Sequence, residues 1–254
     1  ELKKVPADDR ADVVKKAQAA GGVTGPAIKK AANEAPKLFG QALHIALAEH
    51  YVGHTPQEVD AAFLTAFPEA IDPMDLARTP MNGLMTLHQY QDYYRLQDQQ
   101  WKIMGVEVTD KVEIAPGVEW EVKLDLIVET QGGIWGVDHK STSKPFTEQY
   151  WRQYEPNSQL SGYTYYLQQK YGQCSGMIIN GIQVGYRKRA YKGEEAGFHC
   201  SFQRQIFNRT ARQLEDWKER TLLSLARLEA TKQSGAWEKN ETQCYWCEYS
   251  EMCK

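Results

Sequence analysis

Apolar positions along this chain alternate between a helical period of nearly four and a strand period of two, and the changes of period mark its elements. From Lys37 to Tyr51 the residues Leu43, Leu47 and Tyr51 recur at helical spacing around His44, which predicts a helix. Thr55-Pro-Gln-Glu58 is a capping box with proline at the first helical position, so a second helix starts there and runs to about Phe67. Ile71 to Pro80 reads as a loop, and Asn82 to Met104, rich in Gln, Tyr and Asp, as a long helix. The period then becomes two. Gly105–Ile114 reads as a strand, Ala115-Pro-Gly117 as a turn, and Val122–Val128 and Ile134–Val137 as a hairpin closed by Gln131-Gly132-Gly133. A helix over Pro156–Tyr171, a strand over Ser175–Arg187, a partner strand at about Phe198–Arg204 and a helix over Asn208–Gln233 complete the pattern. Residues 1–20 form a charged, Ala-rich predicted helix that Gly21, Gly22, Gly25 and Pro26 break. This order predicts an α/β fold with a mixed central β-sheet flanked by helices. A helical N-terminal subdomain over residues 1–104 would pack on a core formed by residues 105–254.

Three polar residues interrupt the strand pattern. Asp125 lies inside one β-rich run, and Asp138 and Lys140 close the next. Alternation puts Asp138 and Lys140 on one face of their strand, where Asp125 can reach them from the neighbouring strand. Two converging carboxylates repel unless a cation neutralises them, and oxygen ligation suits Mg²⁺ or Mn²⁺. A lysine beside them can orient or deprotonate a water, which outlines a metal-dependent hydrolysis site. Solvated residues on a hairpin would give the same triplet, so the other motifs decide.

In order along the chain come Gly40-Gln-Ala-Leu-His44 on a predicted helix, Asp125 on a strand, Asp138-His-Lys140 on the next strand, and Gln159-Leu-Ser-Gly-Tyr163 on a helix. This ordered set resembles the RecB-like branch of the PD-(D/E)XK nuclease superfamily, over about residue 37 to the C-terminus. The resemblance implies a restriction-endonuclease-like core and hydrolysis of DNA phosphodiester bonds with one or two Mg²⁺ or Mn²⁺ ions. It implies Asp125, Asp138 and the backbone carbonyl of His139 as metal ligands, with His44 as a further ligand from the helical subdomain. An imidazole ligand shifts preference towards Mn²⁺. Lys140 would position or activate the water and stabilise charge on the phosphate. Gln159 and Tyr163 would contact that phosphate or hold Lys140, and Glu107 on the preceding strand is a ligand or outer-sphere carboxylate. Tyr165 and Tyr166 are expected in the core.

Charge changes the picture little. The 254 residues carry a net charge of −3, which excludes a polycation that binds nucleic acid through bulk charge but leaves room for a local basic groove. Candidates for that groove are Lys144, Arg152, Arg187, Lys188, Arg189 and Lys192. No run approaches the roughly eighteen apolar residues of a membrane helix, and the polar N-terminus carries no apolar signal segment, so a cytoplasmic location in a bacterial or phage-infected cell is expected. Three of the five cysteines, Cys244, Cys247 and Cys253, fall within ten residues, which argues for metal rather than disulfides. The resemblance implies a [4Fe–4S] cluster there, yet residues 1–43 hold no cysteine to act as the fourth ligand. A fourth ligand in a segment before residue 1, Cys174 or Cys200 in that role, a relic cluster, a zinc site, or reduced thiols remain open. The chain has no Gly-rich phosphate loop ending in Lys-Ser or Lys-Thr, so it acts alone, as an oligomer, or beside a helicase or recombinase partner. The expected activity is an exonuclease working on single- or double-stranded ends in recombination, repair or phage replication. An endonuclease or CRISPR-type processing nuclease on the same fold is the alternative. Intact Asp125, Asp138 and Lys140 argue against an inactive DNA-binding subunit.

Overall fold

The computed structural model describes residues 25–237 except 70, 71, 73, 191, 192 and 194, together with 242, 244, 247 and 252, and side chains from residue 34 onward. The helix expected over residues 1–20, Lys192 and Cys253 lie outside the described residues. Three helices, α1 (Gly25–Val52), α2 (Pro56–Ala66) and α3 (Pro80–Asp98), precede the strands β1 (Lys102–Ala115), β2 (Val118–Thr130) and β3 (Gly133–Thr142). Then follow α4 (Glu148–Arg152), α5 (Ser158–Tyr171), β4 (Gly176–Arg187), β5 (Gly197–Phe207) and α6 (Ala211–Ser234). The capping box expected at Thr55 forms, its hydroxyl accepting from the Glu58 N–H, and the structure adds a second on α6, closed by Thr210 and Gln213.

The strands form one sheet in the order β1-β2-β3-β4-β5. All neighbours are antiparallel except β3 and β4, which run parallel because α4 and α5 cross over between them. This is the expected mixed sheet flanked by helices. Helices α1–α3 cover one face, where Phe39, Leu43, Leu47, Phe63 and Tyr90 pack on Leu126, Val128, Val137 and Ile178. On the other face Leu160, Tyr163 and Leu167 of α5 pack on Val122, Leu124, Ile127 and Ile179. Gly162 permits this approach, since a Cβ there would lie 2.4 Å from the Trp120 indole nitrogen. Helix α6 adds an outer layer through Trp217, whose indole N–H donates to Ser158 at 2.8 Å. Tyr166 is buried as expected, and Tyr165 packs against Trp217. Among the described residues no helix is long and apolar enough to cross a membrane.

One boundary and one element differ from the sequence reading. The polar helix expected to reach Met104 ends at Asp98, and the strand expected from Gly105 begins at Lys102. Lys102 and Ile103 pair with Glu129 and Val128 across a bulge before Gly105, and the Lys102 ammonium sits 2.8 Å from Glu129. Long-range pairing thus outweighs local helix propensity. Helix α4, capped by Thr147, was not expected; its five residues are too few for a periodic signal.

Candidate active site

Strand alternation fails at one place, and the failure builds the site. Leu124 packs under α5, whereas Leu126 packs under α1–α3, although a regular strand would keep both on one face. In β1 the same exchange separates Val108 from Val106. Between them, Glu107 stands opposite Asp125 in the flanking register, with a φ of 47°. A non-glycine residue in the left-handed region is strained, and such strain persists only where the surroundings impose it. The two strands therefore turn over together, and both carboxylates emerge at the same edge of the sheet.

That edge opens into a cleft of about 1070 Å³ lined by Gly40, His44, Glu107, Lys123, Asp125, Asp138, Lys140, Gln159 and Tyr163, with Lys37 at its margin. The His44 imidazole reaches from α1 to 3.4 Å from the Asp125 carboxylate. The His139 backbone N–H donates to the same carboxylate at 2.7 Å. Lys140 Nζ lies 2.6 Å from Asp138 Oδ2 on the shared face of β3. On α5, the Gln159 amide donates to the Tyr163 hydroxyl at 2.9 Å, and that hydroxyl donates to the Lys123 carbonyl of β2. Tyr163 thus ties α5 to the strand two residues before Asp125.

Gly40 sets how close α1 comes to β3. A Cβ at this position would stand 2.7 Å from the Ser141 hydroxyl, next to Lys140. The glycine of the Gly-x-x-x-His motif thereby lets the His44 helix lie on the strand that carries Asp138 and Lys140. Gly40→Leu is expected to push α1 outward and lower activity about 100-fold, since roughly 1 Å of misplacement costs that much. Gly40→Ala should cost far less, and pairing it with Ser141→Ala should recover the loss; additive losses in steady-state rates would contradict the contact.

The charges are unequal. Burial opposes ionisation of Asp125, but the hydrogen bond from His44 and the His139 N–H outweigh it and hold its carboxyl well below the usual carboxylate range. Asp138 goes the other way: burial, reinforced by the Asp125 charge, raises its pKa against the opposing pull of Lys140. Burial disfavours the Lys140 ammonium, yet Asp138 more than compensates and raises its pKa.

A family model described as the PD-(D/E)XK nuclease superfamily matches residues 17–254. The chain belongs to the PD-(D/E)XK nuclease superfamily. No curated protein matches it.

The cleft suits the divalent cation that PD-(D/E)XK nucleases use. His44, Glu107 and Asp125 each offer a ligand atom, all within 4.8 Å of one another, close to the span of ligands around one ion. Asp138 lines the same cleft outside that group, its buried Oδ2 lying 2.6 Å from the Lys140 ammonium. The two carboxylates and one imidazole of the group form an oxygen-rich donor set of the Mg²⁺ and Mn²⁺ type.

Of the four ordered motifs, Gly40, Gln41, His44, Asp125, Asp138, Lys140, Gln159 and Tyr163 line this cleft, whereas the His139 ring stacks on Tyr51 behind it. Glu107, the weakest candidate from sequence, lies within ligand distance of His44 and Asp125, because the turnover of β1 and β2 puts it opposite Asp125. The expected basic groove is largely elsewhere. Lys144 lines an adjoining cavity of about 230 Å³, Arg152 pairs with Glu148 at 2.6 Å, and the cleft takes Lys37 and Lys123 instead. Cys244 and Cys247 lie on one turn, with the Cys247 N–H 3.4 Å from the Cys244 carbonyl, and no disulfide joins the described cysteines. Cys174 and Cys200 sit beside β4 and in β5, where burial pushes both thiols up to about 11, away from the thiolate a metal requires.

Proposed function

We propose that this chain is a Mg²⁺- or Mn²⁺-dependent deoxyribonuclease of the RecB-like branch, an exonuclease that processes DNA ends in recombination, repair or phage replication. The observation that carries the reading is the convergence of His44, Glu107, Asp125, Asp138 and Lys140 on one cleft from α1 and three adjacent strands. Asp125, Asp138, the His139 carbonyl and His44 would hold the metal, with Glu107 completing the His44 side. A divalent cation supplies a nucleophile at neutral pH and neutralises charge on the phosphate. Lys140, held protonated by Asp138, donates to the oxygen where negative charge develops. The Gln159 amide orients the phosphate, while Tyr163 keeps α5 and β2 in register. Lys37 and Lys123 attract the backbone of the incoming strand, which a chain of net charge −3 must do locally. A helicase or recombinase partner would present the ends in the cytoplasm. The C-terminal thiols Cys244, Cys247 and Cys253 stay reduced in this reading, since burial keeps Cys174 and Cys200 from ionising to serve with them.

The test is cleavage of end-labelled single- and double-stranded DNA with Mg²⁺ and with Mn²⁺, beside a closed circular plasmid. An exonuclease shortens the linear substrates and spares the circle; nicking of the circle would support the endonuclease reading instead. Binding of DNA with no cleavage in either metal would support the inactive subunit. His44→Ala is expected to lower activity about tenfold to a hundredfold and to regain part of it at high Mn²⁺, because mass action offsets a lost neutral ligand. Unchanged metal dependence in that variant would make His44 a packing residue.

A further inference from the structure

Behind the cleft, a row of polar side chains crosses the sheet at right angles to the strands. His139 of β3 pairs in register with Asn180 of β4, and Asn180 with Arg204 of β5. All three project into the otherwise apolar layer beneath α1 and α3. Asn180 and His139 are almost wholly buried. The Asn180 amide lies 2.7 Å from His139 Nδ1 and donates to the Tyr90 hydroxyl of α3 at 2.7 Å. Tyr90 meets the Tyr51 hydroxyl of α1 at 2.6 Å. Tyr51 donates to Asp98 at 2.9 Å, and Arg204 donates to Tyr90 at 3.0 Å, to Tyr51 at 3.2 Å and to Asp98 at 2.5 Å. The Tyr51 ring stacks on the His139 imidazole with an interplanar angle of 11° and centroids 5.8 Å apart. Leucine or phenylalanine would fill this space; the polar row instead buries hydrogen-bonding groups at a cost, since Asn180 Oδ1 and Arg204 Nε have no hydrogen-bond partner among the described residues.

The row begins at the one residue whose backbone lies between Asp138 and Lys140 and whose N–H holds Asp125. It ends on the helix that carries His44, since Tyr51 lies on α1. We propose that His139, Asn180 and Tyr90 are positioning residues that lock the β3 backbone and α1 in one relative placement, and so set the affinity of the cleft for its divalent cation. The inference rests on the nuclease reading above. A helical layer and a strand that supply ligands to one ion must keep a fixed spacing, and apolar packing alone permits small slides that directional hydrogen bonds do not. Side chains that orient ligands from behind commonly alter metal affinity by 10–100-fold.

The test is titration of free Mn²⁺ by electron paramagnetic resonance, together with kcat and KM on a linear duplex, for the parent, Tyr90→Phe, the double variant His139→Phe/Asn180→Leu, and Asp138→Asn. The double variant removes donor and acceptor together and keeps the ring on Tyr51, so its melting temperature should stay near that of the parent. Its Mn²⁺ affinity should fall roughly 10–100-fold and kcat with it, while KM for DNA stays unchanged. Tyr90→Phe, which removes one hydroxyl and should fold in any case, should lose affinity by a smaller factor in the same direction. Parent-like Mn²⁺ affinity in Tyr90→Phe, or in a folded double variant, would overturn the positioning role and leave the row a structural feature. Parent-like affinity in Asp138→Asn would instead overturn the metal site itself, and the proposal with it.

Discussion

Asp138→Asn is expected to abolish DNA cleavage, by about a thousandfold or more, while leaving a protein that without metal is more stable than the parent. The rate loss follows because metal catalysis contributes several kcal/mol, and each 1.4 kcal/mol or so is tenfold. The stability gain follows from the carboxyl's buried position, which raises its pKa above the ordinary value. A carboxyl whose folded pKa is raised favours the fold below its unfolded pKa, and that contribution is lost as pH rises through the folded pKa. At neutral pH the ionised group therefore works against folding, and the neutral amide does not. Thermal melts in chelator should show the higher Tm for Asp138→Asn at pH 7, shrinking as the pH falls towards about 4. Asp125→Ala should be equally inactive but less stable, because its carboxylate is the acceptor for the His139 N–H at 2.7 Å. Lys140→Ala should also lose activity, as the donor to the developing charge. Equal Tm changes in the two aspartate variants would contradict the electrostatic account.

Arg204→Met is expected to destabilise the fold by about 3–5 kcal/mol, the cost of breaking a buried ion pair and stranding its partner. Its guanidinium is flat against the Tyr94 ring at 3.6 Å and the Trp101 ring at 4.1 Å, and its side chain is only 10% exposed. Removing it leaves the Asp98 carboxylate and the Tyr51 and Tyr90 hydroxyls without their shared donor. Lys102→Ala breaks an ion pair with Glu129 whose members are 71% and 40% exposed. There the expected change is within about 0.5 kcal/mol. Urea unfolding of both variants checks the contrast; a change below about 1 kcal/mol for Arg204→Met would show that α1 and α3 hold to the sheet by apolar packing alone.

Much of the site is legible in the sequence because it rests on local rules. Asp138 and Lys140 share a face by alternation, Gln159 and Tyr163 share one by helical spacing, and the capping box at Thr55 needs only four residues. What local rules leave unplaced depends on pairing between distant strands. Glu107 is a candidate from sequence, but it faces Asp125 only because both strands turn over at that point, which period-two reasoning does not show. The end of α3 was misplaced because Lys102 and Ile103 gain partners in β2 that local propensity does not see. The row from His139 to Arg204 requires the register of three strands, and nothing in the neighbourhood of Asn180 or Arg204 announces it. The lysines that line the cleft, Lys37 and Lys123, stand alone in the sequence, so no basic run marks them.

The most direct test of the central claim is metal add-back. Protein stripped with chelator is mixed with an end-labelled linear duplex, and shortening of the label is followed as Mn²⁺ or Mg²⁺ is restored, with Asp138→Asn purified in parallel. The account predicts no cleavage without metal, cleavage on adding either ion with a lower requirement for Mn²⁺, and none from Asp138→Asn at any concentration. Cleavage by the stripped protein, or equal cleavage by Asp138→Asn, would contradict it.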